Sequence, residues 1–146
     1  MLAEEDDGGG HAGETTTEPE EFKNIVGVFG GYTTERGEGG ATVGLEYERR
    51  INSWLGVGCF GEVIAGDHPA SAFGAGVYLR PTEKFAFVVM PGVEFERGEH
   101  AQFMTRVGAI YDLWKSGRTI LVPAIYVDLF RGRAAFVVGL SLAWEF

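Results

Sequence analysis

Phe136-Val137-Val138-Gly139-Leu140-Ser141-Leu142-Ala143-Trp144-Glu145-Phe146 ends the chain. Every second residue is large and apolar: Phe136, Val138, Leu140, Leu142, Trp144 and Phe146. The residues between them, Val137, Gly139, Ser141, Ala143 and Glu145, are mostly small or polar. Successive side chains of a strand point to opposite faces, so this stretch reads as a β-strand with one apolar face reaching the last residue.

Working back from that strand, the chain divides into segments of similar length separated by turn signals. The pattern predicts strands at 22–34, 40–50, 54–65, 71–80, 84–96, 101–114, 118–130 and 134–146. Glu35–Gly39, Ile51–Ser53, Gly66–Ala70, Pro81–Glu83, Arg97–His100, Lys115–Gly117 and Arg131–Arg133 separate them. No segment has helical periodicity. The connections are short, which permits only antiparallel neighbours.

The two faces differ in chemistry. One carries Val43, Leu45, Tyr47, Leu55, Val57, Cys59, Val63, Phe73, Val77, Leu79, Phe85, Phe87, Val89, Phe95, Phe103, Val107, Tyr111, Leu121, Ile125 and Leu129, and no charged residue. The other carries Glu46, Glu48, Glu62, Arg80, Glu94, Glu96, Arg106, Asp112, Asp128 and Glu145 among many Gly and Ala. Strand one is ambiguous, because Val26, Val28 and Tyr32 oppose Ile25 and Phe29. A face rich in Gly44, Gly56, Gly58, Gly74, Gly76, Gly92, Gly108 and Gly139 makes a poor solvated surface. It suits a narrow interior in which small residues make room for a few long charged ones. The uncharged face is then outside, in lipid, where an open sheet edge does not survive and the sheet must close. The predicted fold is all-β: an eight-stranded antiparallel up-and-down transmembrane β-barrel over residues 22–146. Pro91 and Pro123 each remove a ladder hydrogen bond, so a bulge is expected near each, with the faces able to slip by one residue beyond it.

The formal net charge is −9. Residues 1–21 contain Glu4, Glu5, Asp6, Asp7, Glu14, Glu18, Glu20 and Glu21 with no Lys or Arg, and so hold almost all of it. That stretch has little apolar surface to offset ordering entropy and reads as a disordered acidic tail. Its bland reading is a solubilising linker; with His11 it could also bind divalent cations or periplasmic partners. The chain has no basic patch, which argues against nucleic acid. A single Cys59 excludes an intrachain disulfide and fits no metal spacing. No apolar run is long enough for a transmembrane helix. Met1-Leu2-Ala3 leads straight into acids without a visible signal peptide, so a processed form is expected.

The terminal Trp144-x-Phe146, the repeated dyad pattern and the even strand count resemble the small bacterial outer-membrane β-barrels. The porin-like proteins and the transmembrane domain of outer membrane protein A with its short relatives are the group in view. The resemblance covers residues 22–146 and is architectural; those relatives often have long surface loops, which this chain lacks. It implies a non-enzymatic, monomeric protein of the bacterial outer membrane with no cofactor and periplasmic termini. Its partners would be the lipid bilayer and the barrel-insertion machinery, which reads a final strand ending on an aromatic, here Phe146.

Two sets of residues are candidates for function. The first is an interior charge network of Glu46, Glu48, Glu62, Arg80, Glu94, Arg106, Asp112 and Asp128. Antiparallel register predicts Arg106 beside Asp128 with Glu94 at similar height, and Arg80 near Glu48. Buried charges persist when paired and hydrogen-bonded. The role is then structural, or minor passive permeation of small cations through an acidic, mostly filled lumen. The second set is aromatic: Tyr47, Phe73, Phe85, Phe95, Phe103, Tyr111, Trp144 and Phe146, near the ends of the apolar face as in interfacial girdles. A lipid-modifying enzyme is an alternative, with His68, Ser71 and His100 at one rim beside Asp67 and Glu99; the same groups could hold a metal. His68-Pro69-Ala70-Ser71 lacks the His-x-Ser spacing of the outer-membrane deacylase. A soluble lipocalin-like carrier is a further alternative, although the Gly-x-Trp of such carriers is missing. An adhesin would need more protruding loops than these.

Overall fold

A computed structural model describes residues 23–66, 69–96, 98 and 100–146. The acidic stretch 1–21, with His11, lies outside the described residues, as do Asp67, His68 and Glu99 of the proposed rim. The strands are β1 (Asn24–Glu35), β2 (Glu38–Arg50), β3 (Leu55–Ile64), β4 (Ala70–Leu79), β5 (Phe85–Glu96), β6 (Gln102–Tyr111), β7 (Trp114–Ser116), β8 (Thr119–Phe130) and β9 (Arg133–Glu145). All pair antiparallel with their neighbours in the order β6-β5-β4-β3-β2-β1-β9-β8-β7, and β6 also pairs with β8. The sheet therefore closes into an eight-stranded barrel, β7 being a short continuation of β6. At the seam between β1 and β9, Asn24 N–H donates to the Phe146 carbonyl at 3.0 Å and Phe146 N–H to the Asn24 carbonyl at 2.8 Å.

The tight hairpin between β1 and β2 turns on Arg36 and Gly37, with φ of 54° and 81°. Positive φ at both central residues matches the right-handed twist of the flanking strands. This turn, Ala65, Gly66, Pro69, Gly98, His100, Ala101 and Arg131-Gly132 form one end of the barrel. Lys23, Phe146, residues 51–54, 80–84 and 112–118 form the other, the terminal end.

Alternation decides what faces outward. Val43, Leu45, Val63, Phe103, Ile125, Phe136 and Leu140 are exposed on the outer face, and Leu45 retains 61% of its accessible surface. Water would penalise so continuous an apolar surface, whereas lipid does not. The lumen is filled by Phe29, Phe60, Val88, Met90, Met104, Ile120 and Val137, all buried, together with the charged groups. The ambiguity in β1 resolves on the same rule: Val28 and Tyr32 face out, while Phe29 is 1% exposed inside. A soluble carrier needs the opposite arrangement, apolar within and polar without.

The inward glycines make room for charged chains, as at Gly56 beneath Glu48, and also for rings. A Cβ on Gly108 would lie 2.7 Å from Tyr126 Cδ1, and one on Gly58 2.7 Å from Tyr78 Cε1. Phe29 covers Gly31 and Gly139 in the same way, and Phe60 covers Gly74. A ring laid over a glycine fills space the glycine leaves and shields its backbone.

The two prolines behave differently from each other. The β4–β5 ladder lapses at Pro91, between Gly74↔Gly92 and Val77↔Val89, but the register is the same on either side, so the expected bulge is not there. Proline costs a single donor, and the strand keeps its pleat without an inserted residue. At Pro123 a bulge does form, but on the neighbouring strand. Ile110 pairs with Ala124 and Trp114 with Leu121, so residues 111–113 oppose residues 122–123. The extra residue ends β6 and shifts β7 by one position against β8.

Candidate functional site: a layered charge network in the lumen

Arg106 is the centre of the interior. β6 and β8 place it directly opposite Asp128 in register. Its Nε donates to Asp128 Oδ1 at 2.7 Å and its Nη2 to Oδ2 at 2.8 Å. The other edge of the guanidinium reaches β3, where Nη1 donates to Glu62 Oε1 at 3.0 Å and Nη2 to Oε2 at 2.7 Å. Asp128 is engaged side-on and Glu62 end-on, each by two parallel hydrogen bonds that suit a planar fork. The Phe60 and Tyr126 rings both lie against the cation, with centroids 4.1 and 4.7 Å from its carbon. Arg106 is 2% exposed. Charge pairing, donor satisfaction and cation–π contact together meet the condition for burying it.

A hydrogen-bonded chain extends from this centre. Tyr126 O–H donates to Glu46 Oε2 at 3.2 Å, and Ser141 O–H to Glu46 Oε1 at 2.8 Å. Phe29 packs on Tyr126 with ring centroids 6.1 Å apart. Side chains from β1, β2, β3, β6, β8 and β9 thus meet in one cross-section of the lumen.

A second layer lies toward the terminal end. Arg80, just beyond β4, donates from Nη2 to Glu48 Oε1 and from Nε to Glu48 Oε2 at 3.4 Å. Arg80 Nη1 has no hydrogen-bond partner among the described residues. Beside it is a cavity of about 30 Å³, lined in part by Glu46, Glu48, Asp112 and Ser141. Asp112 lies in the break between β6 and β7, and burial pushes its carboxyl above the ordinary aspartate value, against the pull of Arg80 and Arg50. On the rim, Lys115 Nζ pairs with Glu145 at 2.9 Å.

The third layer lies at the hairpin end. Arg133 contacts Glu35 at 2.5 Å, Glu94 at 3.7 Å and Gln102, and stacks 3.8 Å from the Phe130 ring centre. Arg133, Glu35, Glu94 and Gln102 line a vestibule of about 420 Å³ with Thr33, Glu38, Glu96 and Ala135.

The structure therefore groups Glu46, Glu62, Arg106 and Asp128, and separately Glu48, Arg80 and Asp112. It does not bring Glu94 to Arg106. Glu94 stands opposite Gln102, whereas Met90 stands opposite Arg106, so Glu94 sits two dyad repeats nearer the mouth and meets Arg133 instead. Counting only Arg80 and Arg106 as interior cations missed Arg133. Its place in a turn signal hid it, although it shares parity with the inward Ala135, Val137 and Ser141. Glu62 as the second partner of Arg106 was invisible because the two meet across the lumen rather than between neighbouring strands. The aromatics form two groups on the outer face. Phe73, Phe95 and Phe103 lie toward the hairpin end; Tyr47, Phe85, Tyr111, Trp144 and Phe146 lie toward the terminal end. Ser71 lies on the outer face opposite Phe95, and His100 is an exposed loop residue. Among the described residues no group of three His, Cys, Asp or Glu could hold a metal.

No family model matches the chain, and no curated protein does. Solved structures do. The outer membrane protein Ail of Yersinia pestis, determined in a phospholipid bilayer nanodisc, aligns with TM-score 0.59 at 12% identity, covering 86% of this chain and 100% of that one. Ail in complex with the heparin analogue sucrose octasulfate gives 0.58 at 12%, covering 85% and 97%. A de novo designed transmembrane β-barrel gives 0.57 at 16%, covering 85% and 95%. At these identities the likeness concerns the fold, which is that of the small eight-stranded transmembrane β-barrels.

Proposed function

We propose that this chain is an integral outer-membrane β-barrel that acts without catalysis, as a closed structural element of the membrane rather than an open pore. The observation that carries this reading is Arg106, clamped between Glu62 and Asp128 and against two rings in mid-lumen. An ion crossing here would have to displace a fully paired guanidinium and the Met90, Met104 and Phe29 side chains around it. Eight strands leave an interior that side chains can fill. The apolar exterior supports residence in a bilayer, and likeness in fold to Ail supports the outer membrane. The two aromatic groups would sit at the bilayer interfaces as anchors. A closed barrel has no edge to offer, which favours a monomer.

Planar-bilayer recording on folded full-length chain tests this, with folding verified by a heat-dependent gel shift. Silence from folded protein is the expected result. Discrete cation-selective steps would overturn closure and favour permeation, to which the vestibule carboxylates of Glu35, Glu38, Glu94 and Glu96 would contribute. The insertion machinery is the proposed partner of β9; deleting Phe146 should slow assembly in membranes containing that machinery while leaving refolding in detergent unchanged.

A further inference from the structure

The two ends of the barrel differ in chemistry. Lys23, Arg49, Lys84, Lys115 and Arg118 are exposed at the terminal end, where Glu83 is the exposed side-chain carboxylate among the described residues. The chain's three tryptophans are also there: Trp54, Trp114 and Trp144 are 56, 53 and 39% exposed. Tyr47 and Tyr111 flank them on the outer face. At the hairpin end the exposed charges among the described residues, Arg36, Glu38 and Arg131, are of mixed sign, and its outer-face rings are mainly phenylalanine.

Height along the barrel gives this asymmetry its meaning. Arg49 follows the outward Val43, Leu45 and Tyr47 on β2, and Lys115 follows Leu113 and Trp114; Lys115 pairs with the buried Glu145 yet keeps its side chain exposed. When the apolar belt lies in hydrocarbon, these cations stand at the depth of lipid headgroups. Indole and phenol rings settle at that depth, and long cationic side chains reach from it to phosphate. A ring of cations next to amphipathic aromatics is a surface for anionic phospholipid.

We propose that the terminal end of the barrel is a collar that binds anionic phospholipid headgroups, through Arg49, Lys84 and Lys115 beside Trp54, Trp114 and Trp144. This rests on the membrane reading above. It adds a lipid preference that the terminal end has and the hairpin end lacks. The segment that precedes Lys23 is covalently joined to the barrel here, and its sequence is rich in acids, so it is the competing occupant.

The test is native mass spectrometry of the full chain released from nanodiscs containing equal phosphatidylglycerol and phosphatidylcholine, counting the retained lipids. A cation near an anionic surface favours binding about fivefold. The expected result is several-fold preferential retention of phosphatidylglycerol. The combined variant R49Q/K84Q/K115Q should lose it, and Arg131→Gln at the opposite end should keep it. Equal retention of both lipids by the parent overturns the collar, as does a preference that survives the triple variant or vanishes in Arg131→Gln. A preference that appears only after Glu14, Glu18, Glu20 and Glu21 are changed to Gln also overturns it, and assigns the cations to the chain's own acids. Failure of the parent to insert into nanodiscs or show a heat-dependent gel shift would overturn the membrane reading as well, so the two failures are distinguishable.

Discussion

Arg106 and Glu62 meet across the lumen through hydrogen bonds of 3.0 and 2.7 Å, although 44 positions separate them in the chain. Asp128 takes the other edge of the same guanidinium. One side chain thus ties β3, β6 and β8 together inside the barrel, and each of its carboxylate partners depends on it for neutralisation.

Replacing Arg106 by Ala should strand both carboxylates. Breaking a buried pair by removing one partner costs about 3–5 kcal/mol. Urea unfolding of the folded barrel in detergent should show a clearly lowered midpoint. An unchanged midpoint would mean that water already screens these charges.

Arg106 should tolerate loss of one carboxylate better than its own loss. Glu62→Gln keeps the shape and the hydrogen-bonding oxygen while removing one charge, and Asp128 remains. A cost of about 1.5–3 kcal/mol is expected, as for hydrogen bonds to charged groups. A double-mutant cycle between positions 62 and 128 should give a coupling well above the scatter of independent sites. Additive losses would contradict a shared guanidinium.

Gly76 and Gly30 should respond oppositely to alanine. A Cβ on Gly76 would collide with the Val89 carbonyl and approach Met90 Cα at 2.6 Å, whereas one on Gly30 meets nothing within 4 Å. Gly76→Ala should destabilise by about 1–3 kcal/mol through overpacking. Gly30→Ala should be neutral or slightly stabilising, since it lowers unfolded-chain entropy. Equal effects in unfolding midpoint would reject the face assignment.

Leu45→Arg is the charge test of the outer face. Leu45 is exposed and paired with Val28 and Gly61 in the sheet. An Arg near the bilayer midplane of a barrel costs about 2–4 kcal/mol. Folding into vesicles should fall sharply while folding in detergent micelles suffers less. Equal folding in both would argue against lipid contact at this position.

The stability of the terminal end should depend on pH through Asp112. Its carboxyl is raised in the folded barrel by burial. A group that binds its proton more tightly when folded favours the fold in acid, and this contribution is lost as pH rises through its ordinary value toward the raised one. Asp112→Asn should therefore flatten the fall in unfolding midpoint above pH 4, relative to the parent. Parallel pH profiles for the two proteins would exclude the assignment.

Strands, faces and closure were legible in residue order because all three follow from a period of two. Each strand reports its own pleat, and an uncharged face of this extent has one compatible solvent. Arg106 beside Asp128 and Arg80 beside Glu48 were equally legible, since both follow from antiparallel alignment and height in the barrel. Contacts across the lumen were not. Glu62 with Arg106, Tyr126 and Ser141 with Glu46, and Arg133 with Glu35 and Glu94 depend on barrel diameter and stagger, which no single strand encodes. The same holds for the bulge opposite Pro123. The proline is visible in the chain, but which strand of the pair yields the extra residue depends on how β6 and β8 close the barrel. Local alternation determined what faces lipid; the three-dimensional closure alone decided which charges meet inside, because those contacts join segments that share no local pattern.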